Sequence, residues 1–248
     1  ETRAVVQTHT IEFALTKNPS LDNRSVEVIF SDTKGDISKS VKITQLGSPL
    51  YCVVPNANEV LYITTDGEVL DISDINLGST TVIDHTYVDG IGRITCSSDI
   101  TLIDGFDGCT TLEQIAIPDS VTSIGREAFW DCTSLTSITI PDSVTEIGYE
   151  AFYGCHSLKS VTIGNGVTKI GGDAFYNCTG ELIVNCNIPS ATYFGSDGAF
   201  YGADFTKVTI GDSVTSIGDY AFSGCSSLTS VTIPDSVTSI GYEAFYNC

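Results

Sequence analysis

Methionine is absent from all 248 residues, tryptophan occurs once, histidine three times, and lysine and arginine together number 11 against 31 acidic residues. Each shortage excludes something. A formal net charge of -20 repels phosphate backbones and anionic lipid, which removes nucleic-acid binding and direct membrane-surface binding as roles. No apolar run reaches the roughly 18 residues of a membrane-spanning helix, and the pattern of a secretory leader is missing. A chain without an initiator methionine is expected to be mature or trimmed, with any export signal or lipid anchor upstream. The nine cysteines include no C-x-x-C pair, so the close ligand spacing of a metal site is missing. His9, His85 and His156 lie in separate segments and belong to no nucleophile, zinc or acid–base motif. Paired carboxylates arise by chance among so many acids and carry no information about glycoside hydrolysis. The expectation is a non-enzyme without cofactor or metal.

Against these absences stands a repeat. Phe106, Phe129, Phe152, Phe175, Phe200, Phe222 and Phe245 are separated by 23, 23, 23, 25, 22 and 23 residues. A period in the twenties marks a small coil of chain that cannot hide its apolar face alone and must stack on its neighbours. One period, Leu135 to Ser157, divides into short elements by residue type. Leu135, Ile138 and Ile140 form a strand stopped by Pro141, which lacks a backbone donor. Pro141-Asp142-Ser143 reads as a turn whose aspartate bonds nearby N–H groups. Val144 and Ile147 form a second extended piece, ended by Gly148 where the spacing predicts a conformation only glycine adopts cheaply. Ala151, Phe152 and Cys155 have helical spacing and predict one helical turn. The fold class is therefore a β-rich α/β solenoid, a right-handed stack of rungs of about 23 residues, each with short strands and one helical turn.

The recurring I-P-D-S-V-T-x-I-G-x-x-A-F-x-x-C, complete at 117–132, 140–155 and 233–248, resembles the BspA-like leucine-rich repeat family of bacterial surface proteins. The resemblance covers residues 86–248, about seven rungs, and implies adhesion to host matrix, mucosal glycoprotein or other microbes. Gly164 and Gly211 replace the proline in two repeats. Thr179 to Ala203 is longer and less regular, with Cys186 inside its expected strand and Ala203 at the cysteine position, which predicts a local bulge. Ile94 to Cys109 reads as a shortened first repeat.

Residues 1–48 differ in kind. Ile11–Leu15, Val26–Val28 and Val41–Ile43 alternate as three half-buried strands, with turn signals at Asn18-Pro19-Ser20 and Lys34-Gly35-Asp36. Ala14 to Gly47 is similar to the latter half of a BACON domain, an immunoglobulin-like module of carbohydrate-handling surface proteins, without its earlier strands and usual tryptophan. Residues 49–85 contain Val60 to Leu70, a predicted hairpin with Asp66-Gly67 at its turn, expected to cap the solenoid.

Cysteines repeating once per rung predict a buried ladder of free thiols, with adjacent-rung disulfides as the alternative in an oxidising compartment. Two surface features are candidates for binding. Ser137 and Thr139, Ser160 and Thr162, Thr209, and Ser230 and Thr232 face outward from the strands, the usual docking side of a curved solenoid, although a solvated sheet also needs such hydroxyls. Trp130, Tyr153, Tyr176, Tyr201 and Tyr246 follow the core phenylalanines, flanked by Tyr149, Tyr220 and Tyr242, and Ser223 breaks the row. These aromatics either anchor a protein or glycan or cover one another's turns. Asp119, Asp142, Asp212 and Asp235 could hold calcium between rungs, yet turn chemistry accounts for them. The expected role is an extracellular or cell-surface protein that binds a protein or glycan. Its rivals are a structural spacer and a carbohydrate-processing accessory. Cys248 closes a rung at its boundary, which predicts either further sequence or an oligomer through that face.

Overall fold

A computed structural model describes residues 24–31, 37–45, 55–190 and 198–248, which fall into two units divided between Pro49 and Leu50. In the first unit β1 (Arg24–Ser31) pairs antiparallel with β2 (Ile37–Gln45), in the register Val28↔Val41. These strands contain two of the three alternating segments read from sequence. The third, Ile11–Leu15, and both turn signals lie outside the described residues.

The second unit opens with β3 (Glu59–Thr64), β4 (Val82–Val88), β5 (Ile91–Cys96) and β6 (Leu102–Ile103). The repeats follow as β7 (Leu112–Ala116), β8 (Ser123–Ile124), β9 (Ser137–Ile140), β10 (Glu146–Ile147), β11 (Ser160–Ile163), β12 (Lys169–Ile170), β13 (Thr179–Val184), β14 (Asp204–Ile210), β15 (Ser216–Ile217), β16 (Ser230–Thr232) and β17 (Ser239–Ile240). One nine-stranded sheet runs β16-β14-β13-β11-β9-β7-β3-β5-β4. Its six strands β7 to β16 are parallel, one per rung, and give a solenoid of about six turns where about seven were expected. On the strand face the shortened first repeat is separated from the second, because β3 is inserted antiparallel between β5 and β7, while β6 pairs directly with β8. The hairpin expected over Val60–Leu70 closes its turn, with Gly67 at φ +74°, but residues 68–70 form no strand; β3 takes β5 and β7 as partners instead.

The two-residue strands build a second side, β6-β8-β10-β12 and β15-β17. Its rungs are joined by bonds such as Thr145 N to Thr122 O at 2.8 Å and Gly148 N to Ile124 O at 2.9 Å. Gly148 is required for space, not for its torsion: a Cβ there would collide with the carbonyl oxygen of Gly125 in the rung below.

The third side corrects the helical turn. No helix occurs among the described residues. Glu127, Asp131, Glu150, Asp173, Asn177, Tyr220, Glu243 and Asn247 are left-handed, with φ between 48° and 58°, and so alternate with right-handed turns. A helix would spend its N–H groups on itself. Here Phe129 N donates to Ala151 O at 2.7 Å and Phe152 N to Ala174 O at 2.8 Å, binding each rung to the next. Each left-handed side-chain residue costs about 1–2 kcal/mol. Burying one phenylalanine in every turn returns about 1.5–3 kcal/mol.

Those phenylalanines are the column through the core. From Phe106 to Phe175 neighbouring rings stack at 5.1–5.4 Å, and Phe200–Phe222–Phe245 continue at 5.0 and 5.2 Å. The irregular rung interrupts the parallel stacking: Phe175 and Phe200 tilt by 40°. The expected bulge occurs between Gly180 and Glu181, opposite Phe205 and Lys207. Phe205 enters the core against Phe175 and Phe200, beside an Ala203 too small to compete for the space. Cys186 is buried two residues beyond the strand in which it was expected.

Candidate functional site

Parallel register turns the outward positions of the strand face into two rows. Ser137, Ser160, Glu181, Lys207 and Ser230 form one; Thr139, Thr162, Ile183, Thr209 and Thr232 form the other. Neighbouring strands lie about 4.8 Å apart, and the two rows about two residues apart along each strand. At the centre, Lys207 Nζ meets Glu181 Oε2 at 3.2 Å, so the face is locally neutral within an acidic chain. Ile183 beside this pair is 40% exposed. Glu181, Ile183 and Lys207 were missed in sequence because the irregular repeat hides their alignment. Only the bulge brings residues 26 apart into line.

Many threonines at the turns and rung joints are committed to the fold. The Oγ1 atoms of Thr122, Thr145, Thr168 and Thr238 each donate to a carbonyl of the preceding rung at 3.1–3.2 Å. Those of Thr136 and Thr229, beside the strand side, do the same at 3.1 and 2.7 Å. The hydroxyls of Ser137, Thr139, Ser160, Thr162, Thr209 and Thr232 make no side-chain bond among the described residues, and all six are half-buried or exposed. They retain both donor and acceptor capacity for solvent or a ligand.

The aromatic row is used differently. Tyr153 stacks on Tyr176 at 5.2 Å and 10°, Trp130 on Tyr153 at 6.4 Å and 17°, and Tyr201 tilts 32° from Tyr176 at 6.4 Å. Tyr153 and Tyr176 each meet a ring neighbour on both sides, whereas Trp130 and Tyr201, at the ends of the row, each meet one. Ser223 is buried, and beyond it Tyr246 stands exposed. Arg126 lies over the Tyr149 ring at 5.1 Å and pairs with Glu127 at 2.8 Å.

The thiols form a ladder with an added role. Cys132, Cys155, Cys178, Cys225 and Cys248 each donate Sγ–H to the carbonyl of Phe106, Phe129, Phe152, Phe200 and Phe222, at 3.0–3.2 Å. The eight described cysteines are all free, and Cys52 lies outside the described residues. Burial pushes Cys225 up to about 12 and Cys109 and Cys186 up to about 11, and also holds Cys132 and Cys178 well above the ordinary thiol range.

Of the histidines, His85 Nε2 lies 2.7 Å from Tyr62 Oη, which also accepts Leu70 N–H at 3.2 Å. Desolvation lowers the His85 pKa and raises that of Tyr62. His156 is exposed and His9 lies outside the described residues. No group of three or more potential metal ligands clusters among the described residues. Asp142 Oδ1 accepts Asn165 N–H of the next rung at 2.8 Å, and Asp219 Oδ1 accepts Tyr242 N–H at 2.6 Å. Where the irregular rung recedes, Asn187 Oδ1 replaces a backbone acceptor for Thr215 N at 2.7 Å. A groove of about 530 Å³ opens there, bounded by Asn165, Thr168, Asn187, Ile188, Ser216 and Ile240.

Residues 90–197 and 196–248 match the BspA-type leucine-rich repeat region in six copies, more than half of the chain. The chain belongs to this family. Among solved structures, a T. pallidum leucine-rich repeat protein is 30% identical over 61% of this chain and 60% of its own, with a TM-score of 0.41. A leucine-rich repeat protein from Eubacterium ventriosum is 25% identical over 55% of this chain and 37% of its own, at 0.42. A leucine-rich cell surface protein from Faecalibacterium prausnitzii is 33% identical over 72% and 46%, at 0.36. The chain thus spans about 60% of the first of these and about a third of the second. No curated protein matches the chain.

Proposed function

We propose that this BspA-type repeat protein is displayed outside the cell and binds a protein or glycan across its strand face, without catalysing a reaction. The observation that carries this reading is the split between hydroxyls bound to the rung below, as at Thr145, and the row at Ser137, Thr139, Ser160 and Thr162, which makes no side-chain bond among the described residues. A rigid array of free donors and acceptors suits a polar partner at little ordering cost. The Trp130–Tyr201 edge is secondary, since its central rings, Tyr153 and Tyr176, are already engaged by ring neighbours on both sides. The BACON-like reading of residues 1–48, adhesion to host or microbial surfaces, and an upstream anchor belong to the same proposal.

The spacer reading draws on the rung-to-rung bonding of the three sides, interrupted on the second side only at the irregular rung, which stiffens the stack. A screen of matrix proteins and a glycan array with the intact chain separates the two. Binding lost in a Thr139→Glu/Thr162→Glu variant and kept in Trp130→Ala/Tyr153→Ala/Tyr176→Ala supports the strand face. Retention of nothing above an acidic control supports the spacer.

A further inference from the structure

Regular rungs open their second side with aspartate and serine: Asp119-Ser120, Asp142-Ser143, Asp212-Ser213 and Asp235-Ser236. The rung after Asp142 has Asn165-Gly166 instead, the one Asn-Gly pair in the chain. We propose that Asn165 is a site of spontaneous deamidation that converts it to the aspartate of its neighbours. Asn165 is exposed, sits in a turn, and lines the groove beside the irregular rung. Gly166 presents a backbone nitrogen with no adjacent side chain to hinder its approach.

The chemistry balances without a co-reactant other than water. The Gly166 nitrogen attacks Asn165 Cγ, forming a C–N bond and closing a five-membered imide. The Cγ–Nδ2 bond breaks, and the amide leaves as ammonia carrying the Gly166 proton. Water then opens the ring. Attack at the side-chain carbonyl gives aspartate; attack at the main-chain carbonyl gives isoaspartate, which lengthens the backbone by one methylene.

Packing selects between the products. Isoaspartate reroutes the main chain through the Asn165 Cβ and must displace Gly166, which packs so closely that a Cβ on it would collide with the carbonyl oxygen of Asp142. Asn165 N–H is also held by Asp142 Oδ1 at 2.8 Å, which fixes the rung spacing on that side. The folded chain therefore accepts aspartate and resists isoaspartate. The product carries one unit more negative charge than the original -20 and places a carboxylate one rung from Asp142. The groove mouth becomes acidic with the age of the molecule.

Lys159 and Lys169 release the site as one tryptic peptide, Ser160–Lys169. The intact folded chain, aged at mildly alkaline pH, should lose ammonia from this peptide with time, aspartate exceeding isoaspartate, and shift to a more acidic isoelectric point. Asn165→Gln should abolish that shift, and Asn165→Asp should start with it. The urea-denatured chain, freed of the packing, should give mostly isoaspartate. A folded peptide that stays intact while the denatured one converts would overturn the proposal, as would a majority of isoaspartate in the folded chain.

Discussion

The thiol of Cys155 donates a 3.1 Å hydrogen bond to the carbonyl oxygen of Phe129, 26 residues earlier and one rung below. That carbonyl also accepts Cys132 N–H at 3.1 Å, so one buried oxygen serves its own turn and ties it to the next. Cys155→Ala removes both the donor and the volume of the sulfur. Denaturant titration should show a loss of about 1–2 kcal/mol. Cys155→Ser keeps a donor and should lose less.

Burial also fixes the reactivity of the ladder. With Cys225 near 12 and Cys109 and Cys186 near 11, hardly any thiolate exists at neutral pH, and a thiol reagent should label these cysteines only after unfolding. The folded chain holds these protons more tightly than the unfolded chain, whose thiols titrate near 9. Stability from this source is full below pH 9 and declines as pH rises toward 11–12, a fall that alkaline melts should record.

His85 acts at the other end of the pH scale. Its pKa is lowered from 6.5 by desolvation on burial, so the unfolded chain binds its proton first. The stability it confers is complete above pH 6.5 and is lost as pH falls below it. Melting temperatures of the protein and of His85→Gln should converge on acidification, because carboxylates such as Glu59, paired with Arg93 at 2.7 Å, titrate equally in both.

The repeat, its core residues and its strands were legible because burial in a stack imposes one apolar pattern on every rung. The helical turn was misread because Ala151, Phe152 and Cys155 would share a face in a helix as they do in this alternating turn. The deciding information is in Glu150 and Gly154, whose positive φ sends alternate amides to the next rung. Similarly, Val60–Leu70 carries the local signature of a hairpin, but β3 finds better partners in segments about 30 and 50 residues away, which no local pattern records. Of the candidate site, alternation showed which hydroxyls point outward. Which of them remain unbonded depends on the carbonyls of neighbouring rungs.

Gly224 provides a test of the left-handed turn. It has φ +76°, equivalents in Asn177 and Asn247, and room for a side chain: a Cβ at this position would come no closer than 3.6 Å to its surroundings. Gly224→Asn should change stability by less than about 0.5 kcal/mol, because asparagine tolerates this region, whereas Gly224→Val should cost about 1–3 kcal/mol.

Residue-resolved hydrogen exchange of the amides of Phe129, Phe152 and Phe222 tests the stacking of rungs most directly. Each donates to the rung above at 2.7–2.8 Å, and each should be protected to the same degree as Ile138 in the strand face. Exchange of the three phenylalanine amides at the rate of an open loop, with Ile138 still protected, would contradict a column bonded on three sides.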